Sequence, residues 1–95
     1  MIYLNVILNV KDAANIERVR GLLQHMAIAS RAEPGCERFE IYHSDHEPST
    51  FLLVERWASQ AALDQHRQAK AFKEHYEPLV IPLVDREPHP SSLLD

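Results

Sequence analysis

Hydrophobic periodicity in this chain switches between two residues and 3.6 in a fixed order, and that order leaves few folds open. Ile2–Val10 alternates Ile2, Leu4, Val6, Leu8 and Val10 against Tyr3, Asn5, Ile7 and Asn9, which is the pattern of a strand. From about Asp12 to Ala32 the period becomes helical. Ile16, Val19, Leu23, Met26, Ala27 and Ser30 fall on one face, while Glu17, Arg18 and His25 turn away. Asp12 or Asn15 is a suitable cap. The EPGC stretch (Glu33 to Cys36) then stops the helix, because Pro34 disfavours helical geometry at Glu33 and Gly35 permits a turn.

CERFEIYH reads as a second strand, with Phe39, Ile41 and His43 opposed to Arg38, Glu40 and Tyr42. SDHEPS is a hairpin loop and TFLLVERW a third strand. Ser59 is a good N-cap for a second helix predicted to run to Glu77, where Pro78 discourages continuation. LVIPLV is a candidate fourth strand, confined by Pro82 to an edge or a bulge. DREPHPSSLLD, with Pro88 and Pro90, is expected to be an extended, irregular tail.

The order βαββαβ predicts a ferredoxin-like α+β sandwich, as one domain over residues 1–95 with a core from 2 to 86 and a tail from 87 to 95. Two helices cover only one face of such a sheet. The strands nonetheless carry apolar residues on both faces: Phe51 and Leu53 oppose Leu52 and Val54, and Ile7 opposes Val6 and Leu8. An uncovered apolar sheet face calls for a partner, and a second copy related by a two-fold axis is the economical one. A homodimer through the open face is therefore expected. A chain of 95 residues buries only about 60 to 65% of the surface it exposes when unfolded, which also favours help from a partner.

With 45% hydrophobic and 25% charged residues, the composition fits a folded globular domain and not a disordered chain. Ten Lys and Arg stand against 14 Asp and Glu, a net charge of −4, and no basic cluster is present to neutralise a row of phosphates. Nucleic acid is not an expected partner. No apolar run reaches the roughly 20 residues of a membrane span, and MIYLNVILNVKD lacks a basic leader and a cleavage site, so a cytoplasmic location is expected. Cys36 is the one cysteine and is read as a buried or half-buried thiol.

Chemistry concentrates where the third strand meets the second helix. Ala62, His66, Ala69, Phe72, Tyr76 and Val80 share a helical stripe, so His66 faces inward. It is either a core histidine satisfied by one hydrogen bond or a proton acceptor and donor lining a cavity between helix and sheet. Glu55 shares a strand face with Phe51, Leu53 and Trp57, and an acid there needs a partner. It pairs with a neighbouring arginine, caps a backbone group, or orients His66. Trp57 is a core plug or the flat wall of an aromatic pocket, and its indole N–H wants an acceptor. Leu53 and Phe72 are candidate walls, and Tyr76 a candidate hydrogen-bonding partner. Asn5 is a ligand-binding amide or simply a part-exposed polar residue. HSDHE looks superficially like metal ligands but reads better as a solvated turn; no metal site is assigned. No Gly-rich phosphate loop and no GxSxG elbow is present.

Three stretches together, Ser30-x-x-Glu-Pro-Gly-Cys36, Phe-Leu-Leu-Val-Glu-Arg-Trp57, and Ser59-x-x-Ala-Leu-x-x-His66 continuing to Ala-Phe-Lys-Glu-His-Tyr76, resemble the antibiotic-biosynthesis monooxygenase (ABM) family. The resemblance extends over residues 2–86 and is strongest to its small quinol-monooxygenase-like members. It implies a dimeric α+β barrel and an oxygenase without metal, flavin or other cofactor, acting with dioxygen on a small phenolic or quinol-type aromatic. On that reading His66, Glu55 and Tyr76 are the catalytic candidates, and Asn5, Leu53, Trp57 and Phe72 the substrate-binding ones. The dimeric fold also hosts isomerases and other acid–base enzymes of small oxygenated metabolites, and non-catalytic ligand-binding or stress-response proteins, which remain alternatives.

Overall fold

A computed structural model describes residues 1–95. Four antiparallel strands form one sheet in the order β2-β3-β1-β4: β1 is Ile2–Val10, β2 Cys36–His43, β3 Thr50–Trp57 and β4 Val84–Ser91. Three helices lie on one face: α1 (Ile16–Arg31), α2 (Gln60–Gln68) and α3 (Ala71–Val80), the last wound as a π-helix. This is the ferredoxin-like α+β arrangement that the periodicity predicts. No helix is long and apolar enough to cross a membrane.

Alternation decides what the sheet buries. Leu4, Val6, Leu8 and Val10 of β1 and Phe51, Leu53 and Trp57 of β3 point to the helices, where Val19, Leu23, Met26 and Ala27 of α1 cover them. Each such aliphatic side chain removed from water contributes about 1.5 to 3 kcal/mol. Asp12 accepts from the Ala14 N–H at 2.9 Å and so caps a short 3-10 turn that leads into α1; Asn15 makes no side-chain cap.

The C-terminal third departs from the predicted layout. The second helix does not run unbroken to Glu77. It ends at Gln68, Ala69 takes an extended conformation (φ −72°, ψ 160°), and the chain resumes as α3 with Pro78 inside it. LVIPLV is not a strand: Leu79 and Val80 finish α3, and Ile81–Leu83 make a 3-10 turn with Pro82 near its start, where a missing N–H is harmless. The fourth strand lies instead in the stretch expected to be an irregular tail, where Val84–Ser91 pairs with β1 from Val10↔Val84 to Tyr3↔Ser91. β4 is an edge strand, which is where Pro88 and Pro90 are tolerated.

The open face of the sheet is less uniformly apolar than the alternation suggests. Tyr3, Ile7, Leu52 and Val54 lie on it, but so do Arg56, Asn5 and a hydrogen-bonded cluster in which Arg38 and Tyr42 both donate to Glu40 Oε1. Leu52 and Tyr42 are the large apolar groups most open to solvent there, at 39% and 48%.

Candidate active site

The turn from β3 into α2 sets the position of His66. Ser59 accepts from the Ala62 N–H and starts the helix, which places Ala62, Leu63 and His66 on the face turned toward the sheet. The same helix crosses the Glu33–Cys36 turn at very short range. Gly35 has φ +80°, and a Cβ there would lie 2.5 Å from the Ala62 Cβ, so only glycine allows α2 to settle this low. The Ala58 N–H donates to the Gly35 carbonyl at 2.8 Å and secures the crossing.

This approach brings Glu33 to His66. His66 is 4% exposed, and its Nδ1 donates to Glu33 Oε1 at 2.7 Å. A carboxylate on Nδ1 fixes the ring's tautomer and orientation and leaves Nε2 as the nitrogen free to take a proton. Trp57 lies against the ring at 4.4 Å between centroids, with Phe72 at 5.5 Å and Phe39 at 5.7 Å. The imidazole is thus walled by three aromatic rings and tied down by one acid.

Glu55 has a different partner from those anticipated. It is 4% exposed on β3, and its Oε1 accepts from Trp57 Nε1 at 3.0 Å; it neither pairs with an arginine nor orients His66. Burial pushes its pKa above the ordinary carboxylate range, with the indole hydrogen bond and then the nearby charges of His66, Arg86 and Arg67 pulling the other way. Tyr76, 2% exposed on α3, accepts from Arg86 Nε at 3.0 Å, which leaves its own O–H free to donate. Burial raises its pKa too, and Arg86 opposes that rise.

Side chains of Glu55, His66, Tyr76 and Arg86 converge on one small cavity, with Leu53 and Phe72 among its apolar walls. Its volume is about 10 Å³, room for roughly one water molecule. The expected aromatic-sized hollow is therefore not open in this conformation. Arg67, exposed, and Phe72, half-buried, are among the residues that line the cavity.

Of the seven residues singled out from sequence, His66, Glu55, Tyr76, Leu53 and Phe72 line this cavity. Trp57 is not among its lining residues; it lies against His66 at a 34° tilt and donates to Glu55. Asn5 is on the opposite face of the sheet, where it accepts from Arg56 Nη1 and donates to Ser91 Oγ, away from His66. Glu33 and Arg86 were overlooked: the first reads as part of a helix-stopping turn and the second as part of a tail. An acid preceding a Pro-Gly turn and a lone arginine carry no periodic signal. His25 is exposed on α1 and lies edge-on to His75 at 5.1 Å.

Comparison with known proteins bears on the fold and the family. The family model described as "Antibiotic biosynthesis monooxygenase" matches residues 1–78. Three curated proteins are similar. An uncharacterized Synechocystis protein is 39% identical over 61 residues, covering 64% of this chain and 42% of its own length. A "Putative monooxygenase" of Mycobacterium tuberculosis is 41% identical over 49 residues, 52% of this chain and 48% of its own length. A "Putative monooxygenase" of Bacillus subtilis is 30% identical over 76 residues, 77% of this chain and 76% of its own length. The match thus spans about half the length of the first two. Among solved structures, one from Nitrosomonas europaea titled "Putative antibiotic biosynthesis monooxygenase" superposes with a TM-score of 0.86 at 19% identity, covering 98% of this chain and 99% of that one, a likeness of fold. With a family model spanning most of its length, the chain belongs to the antibiotic biosynthesis monooxygenase family.

Proposed function

We propose that this protein is a cytoplasmic, cofactor-independent monooxygenase that oxidises a small phenolic or quinol-type aromatic with dioxygen. The observation that carries the reading is the Glu33–His66 pair, whose imidazole shares a narrow cavity with Glu55 and Tyr76. His66 Nε2 takes the phenolic proton, and the imidazolium is stabilised by Glu33. The electron-rich phenolate transfers one electron to dioxygen, the radical pair closes a carbon–oxygen bond, and the ring hydroperoxide loses water to leave a quinone. The substrate supplies both electrons that reduce the second oxygen atom to water, so the stoichiometry is one phenol and one dioxygen to one quinone and one water. Tyr76 O–H is the donor available to the developing peroxide oxygen, and Glu55, whose pKa burial raises, lies on the same cavity.

An aromatic ring needs far more than a one-water volume, so the reading includes an opening step. Phe72 and Arg67 swing out and α3 moves about the extended residue Ala69, the break between α2 and α3. The working unit is a homodimer in which the open sheet face is covered by a second copy, because Tyr3, Ile7, Leu52 and Val54 otherwise remain at the surface.

Oxygen uptake with a panel of hydroquinones and naphthols, in the presence of a chelator, tests the reading. Uptake with stoichiometric quinone, lost in His66→Ala with the far-UV spectrum unchanged, is the expected result. No uptake with any member of the panel, or uptake that persists without His66, rejects it.

A further inference from the structure

Ligand-sized space lies elsewhere on the molecule, in a groove of about 420 Å³ between the outer flank of α1 and the edge of the sheet. That volume falls within the range of small-molecule sites, roughly 300 to 1,000 Å³. Leu23 and Ala27 of α1 and Phe51 of β3 lie at its base but are at most 6% exposed, so the apolar surface it offers is Ile41 of β2 and the neighbouring His43 ring, with Ile28, 66% exposed, as a rim. The His43 ring stacks on Phe51 at 4.2 Å and 12°, while its Nε2 is occupied by the Pro48 carbonyl at 2.7 Å. An apolar, part-aromatic surface of this kind takes a ring or an alkyl chain.

Charge selects among such molecules. Both charged side chains lining the groove are arginines, Arg20 and Arg31, and no carboxylate lines it, although the chain as a whole carries −4. Arg31 is anchored by donation from Nη1 to the Phe39 carbonyl at 2.8 Å, which orients its guanidinium and leaves its other N–H groups available. Arg20 has only a loose contact with the exposed Glu17 at 3.9 Å. Eleven residues apart on one helix, the two cations are separated by about 16 Å of rise, one toward each end of the groove.

We propose that this groove binds a small amphipathic organic anion, an apolar ring or chain bearing one acidic head, with the body against Ile41, Ile28 and the His43 ring and the head on a guanidinium. His66 does not line the groove, so the site is separate from the oxygenase cavity and its occupancy does not depend on the oxygenase reading.

The test uses 1-anilinonaphthalene-8-sulfonate as the anionic probe and N-phenyl-1-naphthylamine as its neutral counterpart, read by fluorescence titration. The expected result is saturable one-to-one binding of the sulfonate, weakened at least tenfold in Arg20→Gln/Arg31→Gln and by Ile28→Asp, competed by 2-naphthoate, and unaltered in His66→Ala. Both arginines are exposed, so the double variant is expected to fold, which circular dichroism checks. Sulfonate affinity unchanged in the double arginine variant, equal affinity for the neutral amine, or loss of binding on Leu52→Lys at the open sheet face would each overturn the proposal.

Discussion

Glu33 and His66, separated by 33 residues, meet at 2.7 Å because Gly35 lets α2 pass directly over the turn that carries the acid. The contact converts a buried ring into an oriented one, with Nδ1 committed to the carboxylate and Nε2 free. His66→Ala should lower oxygen uptake by about 10² to 10⁴-fold, the usual worth of a positioned acid–base group. Glu33→Gln retains an acceptor for Nδ1 but removes the charge that stabilises the imidazolium. A fall in kcat of about tenfold, about 1.4 kcal/mol, with KM little changed is expected. Equal activity of Glu33→Gln and wild type would show that the pair only packs.

Glu55 gives a stability prediction with a definite sign. Burial raises its pKa, so the folded chain keeps the proton at pH values where the unfolded chain has released it. Its contribution is therefore complete below the ordinary carboxylate pKa and is lost as pH rises toward the folded-state value. Glu55→Gln keeps the acceptor for Trp57 Nε1 and cannot ionise. Thermal melts should show the variant gaining Tm over wild type near pH 7, with the gap closing near pH 4, while oxygen uptake falls. A gap that does not change with pH contradicts the buried, proton-holding carboxyl.

Gly35→Ala tests the crossing itself. An alanine at φ +80° is strained by about 1 to 2 kcal/mol, and its Cβ meets the Ala62 Cβ at 2.5 Å, so a total loss of about 2 to 4 kcal/mol is expected from denaturant unfolding. Adding Ala62→Gly should recover part of that loss in a double-mutant cycle. Strictly additive costs would mean that the two positions do not press on each other.

Leu52→Lys places a charge in the middle of the open sheet face without touching the helix-side core. If a second copy covers that face, sedimentation should move from dimer to monomer. A wild-type protein that is already monomeric at micromolar concentration ends the dimer proposal.

Much of this molecule can be read from periodicity. The inward faces of β1, α1, β2 and β3, the Ser59 cap, the inward aim of His66 and Tyr76 and the burial of Glu55 all follow from periods of two and 3.6, because periodicity states which side of an element is apolar. Where an element breaks or which elements meet lies outside that signal. β4 escaped because only Val84 of its eight residues is buried, and backbone pairing with β1, not side-chain burial, makes it a strand. The interruption at Ala69 and the π-winding through Pro78 leave the apolar stripe nearly in phase, so a continuous helix looked equally good.

Sequence alone therefore determined the layers, the buried faces and the residue types available for proton transfer. Tertiary structure decided that Glu33, not Glu55, holds His66, that Arg86 reaches Tyr76, that Asn5 faces away, and that the shared cavity is closed to about one water. The reason is that these are contacts across long sequence separations, set by how far one glycine lets a helix descend and by which edge the last strand joins. No local pattern of hydrophobicity encodes either distance.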